Sequence, residues 1–154
     1  MDLEGMFSAA NALAMLGWLM LVSLPFWRPT TSLITSILLP GLLALAYLGL
    51  FVANFGSAPG GFSSFSSLAG VKSLFQSDAL LLAGWIHYLA FDLFIGSWEV
   101  RDSRRLGIRH LLVIPCLFFT LMLGPVGLLM YLVLRLAARG RWSLGEPRDA
   151  STVG

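Results

Sequence analysis

Four stretches of the sequence, residues 7–27, 33–55, 78–98 and 110–136, are apolar for long enough to cross a bilayer. A hydrocarbon core about 30 Å thick needs about 20 residues of helix at about 1.5 Å each. No water is available there for backbone N–H and C=O groups, so each stretch must close its own hydrogen bonds as a helix. The expectation is an all-α integral membrane four-helix bundle over residues 1–138, followed by a polar tail, residues 139–154, that reads as disordered. The chain is 57% hydrophobic and 12% charged, a balance that a soluble domain of this size does not carry. Its Lys and Arg side chains stand mostly at the ends of apolar stretches, where they anchor helices among headgroups, and no nucleic-acid motif is present. The start, Met1-Asp2-Leu3-Glu4, is acidic and leads into a full-length apolar stretch, so the first helix is expected to stay rather than be cleaved. Cys116 sits in an apolar run, where packing is the usual use of a free thiol.

The connections differ in composition. Pro25-Phe26-Trp27-Arg28-Pro29 carries the aromatic and proline signals of a helix end at the membrane surface. Residues 56–77 are rich in Gly and Ser yet carry Phe62, Phe65, Leu68, Val71, Leu74 and Phe75. From Ser66 onward the apolar spacing of three and four predicts a short interfacial helix, either a lid over the bundle or a tether resting on lipid. Residues 98–109 are the most charged connection and must lie in water or headgroups. With four spans, Arg28, Arg101, Arg104, Arg105 and Arg109 share one side, and Lys72, Arg135, Arg139, Arg141 and Arg148 the other. Charge therefore barely decides orientation, with a slight preference for a cytoplasmic loop between the third and fourth helices.

Residues 84–99, GWIHYLAFDLFIGSWE, break the apolar pattern with a histidine, a tyrosine and an aspartate. An ionised Asp near the centre of a membrane helix costs roughly 2.5 to 3.5 kcal/mol on insertion scales. Either neighbouring helices satisfy such groups or they do chemistry. At about 100° per residue, Trp85, Tyr88, Asp92, Gly96 and Glu99 share one stripe, while His87, Phe91, Phe94 and Trp98 share another. His87 and Asp92 are thus about 140° apart, and one ligand touches both only in a groove spanning more than one helix face. On the fourth stretch His110, Thr120, Gly124, Gly127, Tyr131 and Arg135 project to similar azimuths if the helix is regular. Pro115 and Pro125 disturb it: Pro125 removes the amide that would bond the Leu121 carbonyl, which must find another partner, and GPVG at 124–127 marks a local break. An antiparallel pairing of the third and fourth helices sets Asp92 level with Cys116 and His87 level with Thr120. Asn11 is an additional intramembrane amide suited to a bond across helices. His87 and His110 lie about 16 Å apart in depth and no HxxxH or HxxE pair occurs, so no metal is expected. No phosphate loop, nucleophile elbow or CxxC occurs either, and no cofactor is expected.

Val71, Leu74-Phe75, GWIHYLAFDLFIGSW, Asp102, His110, Pro115-Cys116-Leu117 and GPVGLLMY, ending at Arg135, together resemble the abscisic-acid-deficient-four-like family. The similarity runs from about Phe7 to Arg135 and is strongest after Val71. What the resemblance implies is a four-helix membrane protein of carotenoid metabolism, in plants the conversion of violaxanthin to neoxanthin in plastid membranes. That reaction is a redox-neutral isomerisation: an epoxide opens and an allene forms, so an acid must protonate the epoxide oxygen and a base must take a proton from the polyene. The sequence reaches its first helix with no transit peptide, which departs from the plant precursors and points to a bacterial inner membrane or to a processed plastid form. On this reading Asp92 is the general acid, His87 the base and Tyr88 the group that polarises the oxygen. Asn11, Trp85, His110, Thr120 and Tyr131 are the expected contacts to a carotenoid or other elongated isoprenoid drawn from membrane lipid. The alternative is a non-catalytic carotenoid-binding or assembly protein that works with a partner enzyme or as a homo-oligomer. A purely structural bundle, in which His87 and Asp92 only lock helix pairs, is the third.

Overall fold

Helix α1 (Leu3–Ser23) starts on Asp2, whose carboxylate accepts the Gly5 N–H at 2.9 Å and suits the positive end of the helix dipole. The computed structural model describes residues 2–56, 58 and 60–139, and every regular element among them is helical. After Pro25 the chain turns back into a π-helix of nine residues (Thr30–Leu38) that runs on into α2 (Leu39–Phe55). Pro40, in the first turn of α2, has no N–H for the carbonyl four residues before it, which loosens the α-helical ladder upstream. The hydroxyls of Thr35 and Ser36 donate to carbonyls five residues back, those of Thr30 (2.7 Å) and Thr31.

Beyond α2, a 3-10 helix (Gly61–Ser66) leads to α3 (Leu68–Leu74). Ser67 is extended and accepts the Gly70 N–H at 3.1 Å, so the short helix expected from Ser66 begins two residues later. Helix α4 (Asp78–Arg105) runs about two turns past the end expected at Trp98. It stops at Gly107, whose φ of 64° favours glycine. There the Ile108 N–H bonds the Ser103 carbonyl (2.8 Å) and the Gly107 N–H bonds that of Arg104 (3.1 Å).

The largest departure is at residues 110–136, expected as one span. The structure has two antiparallel helices, α5 (His110–Leu123) and α6 (Pro125–Arg139), reversed at Gly124 with φ 45°. Gly127 lies directly against Thr120, and a Cβ added to it would stand 2.5 Å from the Cys116 carbonyl. In one straight helix Cys116 and Gly127 would be about 16 Å apart. Pro125 opens α6, where its missing amide costs nothing. The Leu121 carbonyl that it leaves free accepts the Tyr88 hydroxyl at 3.0 Å. Helices of 14 and 15 residues are about 21 and 22 Å long, short of a bilayer core. The expected four-helix bundle is therefore corrected to three helices long and apolar enough to cross a membrane, α1, the π-helix with α2, and α4, plus a half-length hairpin.

Helix α4 packs against α1, the π-helix, α2, α5 and α6. One core, with Ala10, Ala14, Leu43, Leu50 and Ile86, lies where α1, α2 and α4 meet. The second, with Trp18, Leu21, Leu93, Val100, Val113, Leu117 and Tyr131, joins α1 and α4 to the hairpin. Large apolar side chains face outward, Leu45, Val52 and Leu111 among them, as lipid-facing surface requires. The polar tail lies outside the described residues from position 140 on.

Candidate functional site

Two faces of α4 carry unusual groups. The first faces the α5–α6 hairpin and is a column of carboxylates. Asp92, half-way along α4, lies against the hairpin tip, where a Cβ on Gly124 would stand 2.9 Å from its Oδ1. Its Oδ2 is buried and has no hydrogen-bond partner among the described residues. Two turns on, Glu99 is fully buried; Oε1 accepts the Thr120 hydroxyl at 3.0 Å and Oε2 has no partner among the described residues. At the end of the column Asp102 accepts from Tyr131 Oη and Arg135 Nε, both at 2.8 Å on Oδ2, and from Arg105 at 2.9 Å on Oδ1. Asp102 and Arg135 are both buried, so this ion pair is shielded from solvent.

The second face looks toward α2 and α3. Tyr47, Phe51 and Phe55 follow one another at one-turn spacing on α2, with stacked rings 5.7 and 4.4 Å apart. Phe55 also stacks on Phe65 at 5.9 Å, and α3 contributes Val71 and Leu74, with Phe75 just beyond it. These side chains, with Leu80, Ala83 and Gly84, wall a cavity of about 270 Å³. His87 stands in its lining, 5.6 Å from the Tyr47 ring and stacked on Phe91 at 4.5 Å. Of the two alternatives for the short helix, lid or tether, the contacts of Val71 and Leu74 are those of a lid over this cavity.

The structure does not bring the three expected acid-base residues to one place. Tyr88 and Asp92 face the hairpin, whereas His87 faces α2, because the 140° between them is divided by the helices packed on either side. The expected depth pairing is also corrected. Thr120 meets Glu99 rather than His87, and Gly124 rather than Cys116 meets Asp92, since α4 is two turns longer than expected. The expected ligand contacts are scattered. Asn11 accepts the Trp85 indole N–H at 3.2 Å and donates to the Phe7 carbonyl at 2.7 Å, a bond between α1 and α4. Trp85 lies 5.3 Å from the Tyr88 ring, Thr120 and Tyr131 belong to the carboxylate column, and His110 Nε2 is 3.1 Å from the Val22 carbonyl at the charged end. Sequence reasoning missed Glu99, Asp102 and Arg135 as interior groups and Tyr47, Phe51 and Phe55 as cavity walls. The four-residue spacing of those aromatics was the available signal. Among the described residues no group of three His, Cys, Asp or Glu side chains is placed to hold a metal ion.

Long apolar helices with an outward apolar surface, and the buried Glu99, Asp102 and Arg135 hydrogen-bonded inside, define an all-helical membrane protein. The sequence model of the ABA DEFICIENT 4-like family matches residues 5–131. The chain belongs to that family, the one its central motifs resemble. No curated protein and no solved structure matches it.

Proposed function

We propose that this multi-pass membrane protein serves carotenoid metabolism by receiving one cyclic end of a xanthophyll in the aromatic cavity and isomerising its epoxide to an allene. The observation that carries this reading is the cavity itself, walled by aromatic rings, lidded by α3 and lined by two side chains that can carry a proton, His87 and Tyr47. An engineered cavity of about 150 Å³ accommodates benzene, so one of about 270 Å³ suits a substituted six-membered ring. Isomerisation needs a proton delivered to the epoxide oxygen as its C–O bond breaks and a proton removed from the neighbouring polyene carbon, with no net gain or loss. A single imidazole serves both steps in turn, giving a proton as imidazolium and taking one as imidazole. The Tyr47 hydroxyl, on the ring next to His87, is the group suited to hold the oxygen. Purified protein in liposomes with an epoxide-bearing xanthophyll tests the reading. The expected result is conversion by wild type and its loss in His87→Gln; conversion unchanged in that variant contradicts it.

A second reading puts the proton donor at Asp92, beside Tyr88, and is favoured by the buried Oδ2 with no partner. Asp92→Asn abolishing conversion while His87→Gln retains it would select that site. The non-catalytic alternative is favoured by a cavity lining that, among the described residues, has no carboxylate. Retained pigment with no conversion in the absence of a partner would select it.

A further inference from the structure

We propose that the charged end of the molecule, between the π-helix and the last two turns of α4, is a seat for the headgroup of an anionic phospholipid. The π-helix builds its floor. The Thr31 carbonyl accepts from Ser36 Oγ, from Ser97 Oγ at 3.4 Å and from Arg101 Nη1 at 3.2 Å. The same Arg101 nitrogen is 2.8 Å from Ser36 Oγ, which is itself 2.8 Å from Ser97 Oγ. Among the described residues the partners of this half-buried guanidinium are neutral oxygens, and both bonds use the same one of its nitrogens. One turn further, Arg104 donates to the Pro25 carbonyl at 2.9 Å and lies over the Phe26 ring. His110 reaches the Val22 carbonyl from the other side of the same turn, and Arg28 follows it in the chain.

Among the described residues no carboxylate pairs with Arg28, Arg101, Arg104 or Arg109; both ion pairs at this end use Asp102. A partly buried cation without a counter-charge is costly, and an external anion supplies what the protein does not. A phosphodiester matches the flat fork of a guanidinium, which binds such oxygens in pairs. The surroundings favour a lipid over a soluble phosphate. Phe26 and Trp27 are 71% and 51% exposed beside the cations, and Leu33 and Ile37, one turn apart, are exposed on the π-helix for an acyl chain to lie against. The inference does not depend on what the aromatic cavity holds.

The test is lipid retention by the purified full chain in neutral detergent, titrated with phosphatidylglycerol or phosphatidylcholine and read by native mass spectrometry. Wild type is expected to retain phosphatidylglycerol selectively, and Arg101→Gln with Arg104→Gln to lose about fivefold per cation removed. Lys72→Gln, at the opposite end, serves as the control and is expected to change nothing. Should the double variant not fold, a salt titration of wild type decides, since added salt is expected to release phosphatidylglycerol and spare phosphatidylcholine. Equal retention of the two lipids, retention unmoved by the substitutions, or insensitivity to salt would each overturn the proposal. Displacement of phosphatidylglycerol by an equal concentration of inorganic phosphate would overturn the assignment to lipid.

Discussion

A carboxylate inside an apolar protein persists only in proportion to what surrounds it, and the three on α4 differ in that respect. Asp102 takes hydrogen bonds from Tyr131, Arg135 and Arg105, Glu99 takes one from Thr120, and Asp92 keeps a buried oxygen with none. Asp102→Asn removes the charge facing the buried Arg135 and is expected to destabilise by about 3 to 5 kcal/mol, the usual result of breaking a buried pair. Glu99→Gln keeps an acceptor for Thr120 and is expected to cost less than about 1 kcal/mol. Thermal unfolding in detergent separates the two, and equal midpoints would contradict this account of the column. Tyr88→Phe leaves the Leu121 carbonyl unbonded and is expected to cost about 1 to 3 kcal/mol in the same assay. The need of Leu121 for a partner was legible from Pro125 alone. The identity of that partner was not, because nothing in the order of residues says that α4 passes the hairpin tip at Tyr88.

Among the elements, the α5–α6 hairpin depends on one close approach. Any side chain at Gly127 meets the backbone of Thr120 and the carbonyl of Cys116, whereas a Cβ on Gly41, also helical, meets nothing within 4 Å. Gly127→Ala is expected to abolish monodisperse, folded protein, and Gly41→Ala to be neutral or slightly stabilising, by at most about 1 kcal/mol. Size-exclusion profiles and unfolding midpoints of the two variants check this; a well-folded Gly127→Ala would contradict the hairpin. The break at 124–127 was visible in GPVG, but a proline within an apolar run reads equally as a kink, and only the contact of Gly127 with Thr120 distinguishes reversal. The length of α4 was hidden for a similar reason. Asp102 and the arginines around it look like loop residues until the hairpin and the π-helix satisfy them, although Gly107 was a readable stop signal. The π-helix itself has no sequence signature beyond Pro40.

For the molecule as a whole, the hairpin reverses the last helix and with it the distribution of charge. Helix α6 now ends, at Arg139, on the side that carries Arg28, Arg101, Arg104, Arg105 and Arg109, with Arg135 buried there, leaving Lys72 on the other with Asp2, Glu4 and Asp78. The tie that four spans would produce becomes a strong bias, and the arginine-rich end is expected to face the cytoplasm. Single cysteines at Leu106 and Gly56 in a Cys116→Ala background check this with a membrane-impermeant thiol reagent. Labelling of intact cells only at position 56 is expected, and labelling only at 106 would contradict it.

On the proposed function the ligand site lies on the α2–α3 face of α4, in the aromatic cavity, and not among the carboxylates of the hairpin face. The most direct test of this claim is the absorption spectrum of protein extracted under mild detergent from carotenoid-containing membranes, comparing wild type, Val71→Trp and Asp92→Asn. Val71 lines the cavity from the lid, so an indole there fills the space without entering the helical core. Carotenoid bands in wild type and Asp92→Asn but not in Val71→Trp are the predicted result. Bands that survive Val71→Trp and vanish in Asp92→Asn would contradict the claim.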